Sequence, residues 1–199
     1  MGETDRYKTI KSRAEGVYKE KGSKFIALAF PVETEKEAKG LLFVIKKEYH
    51  DARHHCYAFR LGPEKEFFRS SDDGEPSGTA GKPILNQIFS AGLFNVLVVV
   101  VRYFGGTKLG VPGLIRAYKT ATREALGNAN LITLSIMRQL ELSFDYLLMN
   151  RVMRVIKEEK PRVVKQDFDT ACTLVLQVEK NREEHLQEKL KRIRGLTVK

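Results

Sequence analysis

Three carboxylates stand within four residues, at Asp72, Asp73 and Glu75, inside the run Arg69-Ser70-Ser71-Asp72-Asp73-Gly74-Glu75-Pro76-Ser77-Gly78-Thr79-Ala80-Gly81-Lys82-Pro83. Oxygen ligands at that density can hold Mg²⁺. The same residues also suit a solvated loop in which Asp and Gly serve turn geometry. Ser77 or Thr79 is then expected to cap the helix that follows, whose N-terminus attracts an anion. The spacing is not that of an EF-hand, and Gly81-Lys82 lacks the P-loop arrangement. The loop-and-cap reading is preferred, and no metal is expected.

A second segment, Arg102-Tyr103-Phe104-Gly105-Gly106-Thr107-Lys108-Leu109-Gly110, follows the aliphatic run Val96–Val101. Arg102 leaves that run directly, so it must be paired, hydrogen-bonded or at a surface. Tyr103 and Phe104 place flat rings beside cations, the combination that stacks on bases. Alternatively both rings plug the core and Arg102 pairs with Asp72 or Asp73. The two readings are compatible, since one ring can face in and the other out.

The next segment reads as a helix with Leu114, Ile115, Tyr118, Ala121, Ala125 and Leu126 on its apolar face. Arg116, Lys119 and Arg123 fall at i, i+3 and i+7, one basic stripe without i,i+4 acidic partners. A stripe of that kind is either a solvated face or a contact surface for phosphate, and the missing acids favour the second. His54-His55-Cys56 offers less. Neighbours on a strand point to opposite faces, so the three cannot share one metal. A Cys–His nucleophile also needs an orienting third group. No catalytic residue is assigned.

Charge gathers where these segments lie. The 199 residues carry a net charge of +10. The window 76–123 has no acidic residue and holds Lys82, Arg102, Lys108, Arg116, Lys119 and Arg123. Eight of the 15 glycines lie between Gly74 and Gly113. Glycines without neighbouring carboxylates let backbone N–H groups approach an anion.

The elements that must position these residues follow from periodicity. Residues 8–19 and 23–32 read as strands around Lys21-Gly22, and Thr34 with Glu37 forms a capping box. Behind it Ala38, Leu41, Leu42, Ile45 and Tyr49 share a helical face. Residues 54–61 and 66–69 read as strands, the second at an edge. A helix runs from about 83 to 91, 96–101 is a strand buried on both faces, and a helix with Pro112 in its first turn runs to Gly127. In the last third, strand 134–144, helix 146–159, strands 162–168 and 171–179 with a turn at Asp169-Thr170, a helix capped by Asn181 with Leu186, Leu190 and Ile193 on one face, and a last strand give β-α-β-β-α-β. The expectation is an α+β protein of two domains, 1–133 and 134–199.

Apolar content of 42% excludes a disordered chain. No apolar run approaches a membrane span, and the first residues lack a signal-peptide core. Two cysteines, Cys56 and Cys172, exclude a disulfide scaffold and fit a reducing cytoplasm.

The string His54…Tyr57-Ala58-Phe59-Arg60, then Ser71-Asp72-Asp73-Gly74-Glu75-Pro76 with Gly78-Thr79-Ala80-Gly81-Lys82-Pro83, then Val98–Val101-Arg102-Tyr103-Phe104-Gly105-Gly106…Leu109-Gly110, resembles the IMPACT family in its bacterial YigZ-like branch. The resemblance implies a first domain folded like the second domain of a small-subunit ribosomal protein and domain IV of elongation factor G, and a ferredoxin-like second domain. It also implies kinship with eukaryotic regulators of translation. The family loop usually reads Gly-Gly-Ile-Leu-Leu-Gly; here Thr107 and Lys108 replace the apolar pair, which favours a surface role.

The leading expectation is a non-enzymatic protein that binds RNA or the ribosome through Lys82, Arg102, Lys108, Arg116, Lys119 and Arg123, with Tyr103 or Phe104 stacking. One alternative is an enzyme on a phosphorylated small molecule, with Asp72, Asp73 and Glu75 as metal or base site and Arg102 stabilising charge. Another is a module that binds a translation-regulating protein, the motif loops acting as staples. No cofactor and no membrane partner is expected.

Overall fold

A computed structural model describes residues 5–168 and 172–199. They form an α+β protein in which two compact units separate, one of Tyr7–Leu134 and one of Ser135–Lys199 with the described residues up to Arg6. No helix among the described residues is long and apolar enough to cross a membrane.

The Tyr7–Leu134 unit runs β1 (Arg6–Ile10), β2 (Ala14–Glu20), β3 (Ser23–Pro31), α1 (Glu35–Glu48), β4 (His54–Leu61), β5 (Phe67–Ser71), α2 (Gly81–Ser90), β6 (Val96–Tyr103), α3 (Gly110–Gly127) and β7 (Leu131–Ser135). Its main sheet has the order β2-β3-β6-β4-β5, with every neighbouring pair antiparallel. Val96–Val101 is the central strand and is fully buried. Its alternate residues feed two cores. Val96, Val98 and Val100 pack with α2 and α3, whereas Leu97, Val99 and Val101 pack on the side of Ala38 and Ile45 of α1. Helices on both faces explain an aliphatic run without polar alternation.

The expected strand 8–19 is interrupted. Lys11, Ser12 and Arg13 are exposed and outside any strand, and β1 pairs with β7 instead of joining the main sheet. Thr34 caps α1 as expected, Glu37 N–H donating to Thr34 Oγ1 (3.2 Å), while the returning Glu37 Oε2 accepts from the N–H of Glu33, one residue before the cap (2.8 Å). In α3 the buried side comprises Leu114, Ala117, Tyr118, Ala121 and Ala125, while Ile115 is 39% exposed and turned outward.

The second unit continues with β8 (Met137–Phe144), α4 (Met149–Glu159), β9 (Arg162–Asp167), β10 (Cys172–Glu179), α5 (Lys180–Lys191) and β11 (Thr197–Val198). The antiparallel order β11-β8-β10-β9 is the ferredoxin-like arrangement of β-α-β-β-α-β. The expected strand 134–144 breaks at Ile136, whose N–H donates to Asp5 O and whose carbonyl accepts from Lys180 N–H. The helix expected at 146–159 begins as one 3₁₀ turn, Tyr146–Leu148, capped by Asp145. Asn181 does not cap α5, which starts one residue earlier at Lys180. The turn at Asp169-Thr170 lies outside the described residues. The sheet face away from the helices shows Gln139, Glu141, Ser143, Thr173, Val175 and Gln177, with Lys165 and Arg162 of β9 opposite Val175 and Gln177.

Candidate nucleic-acid interface

The acidic loop points in three directions. Asp72 Oδ1 accepts from the N–H groups of Ala80 (2.9 Å) and Gly81 (2.8 Å), and Oδ2 from Gly78 N–H (2.8 Å). Asp72 therefore caps α2 from eight residues upstream, in place of Ser77 or Thr79. Thr79 Oγ1 instead donates to Pro76 O (2.6 Å). Burial pushes the Asp72 carboxyl up, but the three backbone donors outweigh it and hold it below the usual range.

Asp73, with φ 40°, starts the turn that Gly74 completes at φ 88°. Its Oδ1 accepts from Lys46 Nζ (2.9 Å) and its Oδ2 from His55 N–H (2.7 Å). Burial raises this carboxyl, and the Lys46 and His55 bonds lower it further than burial lifts it. The Asp73 carbonyl accepts from His54 Nδ1 (2.9 Å). Since a carbonyl only accepts, that nitrogen carries the proton.

Glu75 turns inward. Its Oε1 accepts from Arg102 Nη1 (2.6 Å) and from Tyr118 O–H (2.8 Å). The side chains of Arg102 and Glu75 are 8% and 4% exposed. Arg102 is thus paired within the protein, but with Glu75 and not with Asp72 or Asp73. Beneath it lies Cys56, whose Sγ is 3.2 Å from Tyr118 Oη and 2.9 Å from Asp72 O. Burial pushes the Cys56 thiol up to about 12 and drives the Tyr118 phenol far above its usual value, so both stay neutral donors. With Asp72, Asp73 and Glu75 engaged separately, the convergence needed for a metal or base site is absent. No group of three His, Cys, Asp or Glu among the described residues is placed to hold a metal ion.

The glycine loops are closely packed at one point. A Cβ on Gly105 would lie 1.9 Å from Gly22 C and 2.2 Å from Ser23 N, so only glycine lets the end of β6 pass the β2–β3 hairpin. Beyond it the loop opens. Tyr103 is half-buried and its O–H donates to Asp51 (2.8 Å); burial first, then Asp51, pushes its phenol up to about 12. Phe104 is 53% exposed and is the ring that offers a face.

Two depressions result. One, of about 460 Å³, gathers Arg53, His54, Glu75, Arg102, Phe104 and Lys108 at the start of α3, over Leu109 and Leu114. The other, of about 520 Å³, lies between α2 and α3 and gathers Lys82, Asn86, Gln87, Ser90, Ile115 and Lys119. The loop 76–78 borders both, through Pro76 and Gly78, and successive turns of α3 line them in sequence.

Of the six cations in the acid-free window, three have carboxylate neighbours. Arg102 bonds Glu75, Arg116 bonds Glu20 of β2, and Arg123 stands 4.0 Å from Glu124. Lys82, Lys108 and Lys119 are exposed and form no ion pair among the described residues. Arg53, which sequence reasoning passed over, joins them as an exposed cation without an ion pair among the described residues. Its only signal was its place directly before the His54 strand.

Residues 21–126 match the Impact N-terminal domain. The chain is 37% identical over 154 residues to the IMPACT family member YvyE of Bacillus subtilis, covering 77% of this chain and 71% of that one. It is 31% identical over 156 residues to YigZ of Escherichia coli, covering 77% and 76%. A crystal structure of a hypothetical protein superposes with a TM-score of 0.80 at 28% identity, over 98% of this chain and 96% of the other. The motif loops around Asp72–Pro76 and Arg102–Gly110 fall within the matched domain, and relatives at this identity cover most of the chain: it belongs to the IMPACT family.

Proposed function

We propose that the protein is a translation-linked regulator that binds RNA or the ribosome through one basic face of the Tyr7–Leu134 unit. The observation that carries this reading is the placement of Arg53, Lys82, Lys108 and Lys119. All four are exposed and without carboxylate partners among the described residues, and they line two adjoining depressions. Arg116 and Arg123 flank them on α3 with their charge partly met by Glu20 and Glu124. Arg102 acts from beneath, as a paired cation, and Phe104 is the stacking ring.

Amide and hydroxyl groups at Asn86, Gln87 and Ser90 stand beside Lys82 and Lys119. That mixture suits phosphate and sugar contacts that position a strand without selecting its sequence. Kinship with eukaryotic regulators of translation supports a ribosome-linked role. The enzyme reading is disfavoured, because its three carboxylates diverge.

Filter binding of single-stranded RNA across a salt series tests the proposal. Four phosphate contacts give a slope of log K against log salt of about −3. Absence of RNA affinity at low salt would sink it.

A further inference from the structure

The cavity at the start of α3 has features that a general RNA-binding face does not require. Arg102 commits Nη1 to Glu75, while its Nε is buried and has no hydrogen-bond partner. The residue is more than nine-tenths buried and forms part of the cavity lining. A buried guanidinium N–H without an acceptor is unfavourable, so the protein itself meets the Arg102 charge incompletely.

Other donors face the same space. Helix α3 has no side-chain cap at Leu109 and no acidic residue in its first turn. Leu109 is right-handed and Gly110 has φ 70°, a succession of hands that turns consecutive N–H groups toward one concavity. Pro112 brings no N–H, and Leu109, Gly110 and Val111 before it all line the cavity. Arg53 and Lys108 add charge at the rim, and His54 lies beside them. Glu75 is the one carboxylate among the described lining residues, and its Oε1 is taken by Arg102 and Tyr118. Phe104 stands 5.7 Å from the Arg102 guanidinium, with Val111 and Leu114 on the apolar side.

We infer that this cavity binds a nucleoside 5′-monophosphate, its phosphate at Arg102 and the start of α3 and its base against Phe104. The inference rests on the nucleic-acid reading above and specifies one part of that ligand. A terminal monoester carries nearly two charges and three free oxygens. It matches a helix N-terminus with three cations better than an internal diester, which carries one charge. The same chemistry occurs at the 5′ end of an RNA and in a free nucleotide.

The full chain is titrated by fluorescence anisotropy with one short labelled RNA, either 5′-phosphorylated or 5′-hydroxyl, and by calorimetry with AMP and adenosine. The 5′-phosphorylated RNA is expected to bind roughly tenfold tighter, a difference of about 1.4 kcal/mol. AMP binding with no adenosine binding extends the site to the free nucleotide; the RNA preference alone restricts it to the RNA end. Val111→Asp places a carboxylate at the helix start on an exposed side chain. It is expected to erase the preference while leaving or raising Tm, since an acid there suits the helix dipole. Lys119→Ala, in the other depression, is expected to weaken both RNAs equally. Equal affinity for the two RNAs, with salt-sensitive binding intact, overturns the cavity assignment and leaves the RNA reading standing. AMP binding without RNA binding does the reverse.

Discussion

Glu75 Oε1 and Arg102 Nη1 meet at 2.6 Å inside the Tyr7–Leu134 unit, 27 residues apart in the chain, with Tyr118 O–H completing the carboxylate oxygen. Removing one partner of such a pair leaves the other charge buried and uncompensated. Glu75→Gln is expected to lower unfolding free energy by about 3 to 5 kcal/mol, whereas the double change Glu75→Met with Arg102→Met costs much less. Urea denaturation of both variants measures the difference. Equal losses would show that packing, not charge, holds this site.

Asp72 and Asp73 both titrate below the ordinary aspartate value of 3.8 in the folded protein. Over the acidic range the unfolded chain therefore binds more protons than the folded one. The stability they contribute is complete above that ordinary value and is lost as pH falls through the folded values. The urea midpoint is expected to drop as pH falls below about 4. Asp72→Asn and Asp73→Asn together should flatten that limb while lowering stability at neutral pH, because Asn supplies fewer acceptors to the start of α2.

Two adjacent glycines separate steric fit from backbone strain. Gly105→Ala drives a methyl into the backbone of Gly22 and Ser23 and is expected to cost about 3 kcal/mol or more. Gly106 has open space around it but φ 86°, so Gly106→Ala carries only conformational strain of about 1 kcal/mol. Thermal or chemical melts should rank the two in that order.

Lys82 and Lys119 reach the same groove from different helices. Replacing both by alanine is expected to reduce the magnitude of the salt slope for single-stranded RNA by about 1.4, two contacts at roughly 0.7 each. An unchanged slope would remove the α2–α3 groove from the interface. Both lysines are exposed, and Tm is expected to stay within about 1 °C in the same variant.

Much of the framework is local and therefore legible. The aliphatic run at 96–101, the Thr34 cap of α1 and the helical stripe at 116, 119 and 123 declare themselves through spacing alone. So does the element order of the ferredoxin-like unit. Breaks at Lys11–Arg13 and at Ile136 were not legible, because a neighbouring strand or a distant backbone group decides where pairing stops. The cap of α2 is hidden from the sequence for a related reason. Ser77 and Thr79 are the near candidates, yet Asp72 reaches back through a turn that only Asp73 and Gly74 make possible.

The sequence by itself determined that the excess charge is concentrated: a basic, acid-free, glycine-rich window lies beside an acidic loop. It also determined the α+β class, since hydrophobic period and turn residues are properties of neighbouring positions. Only the tertiary structure decided which charges are spent. Arg102 and Arg116 find carboxylates 27 and 96 residues away, leaving Lys82, Lys108 and Lys119, with Arg53, as the cations without a carboxylate among the described residues. Ion pairing depends on distance in space, and side chains that are remote along the chain become partners only when the sheet brings them together.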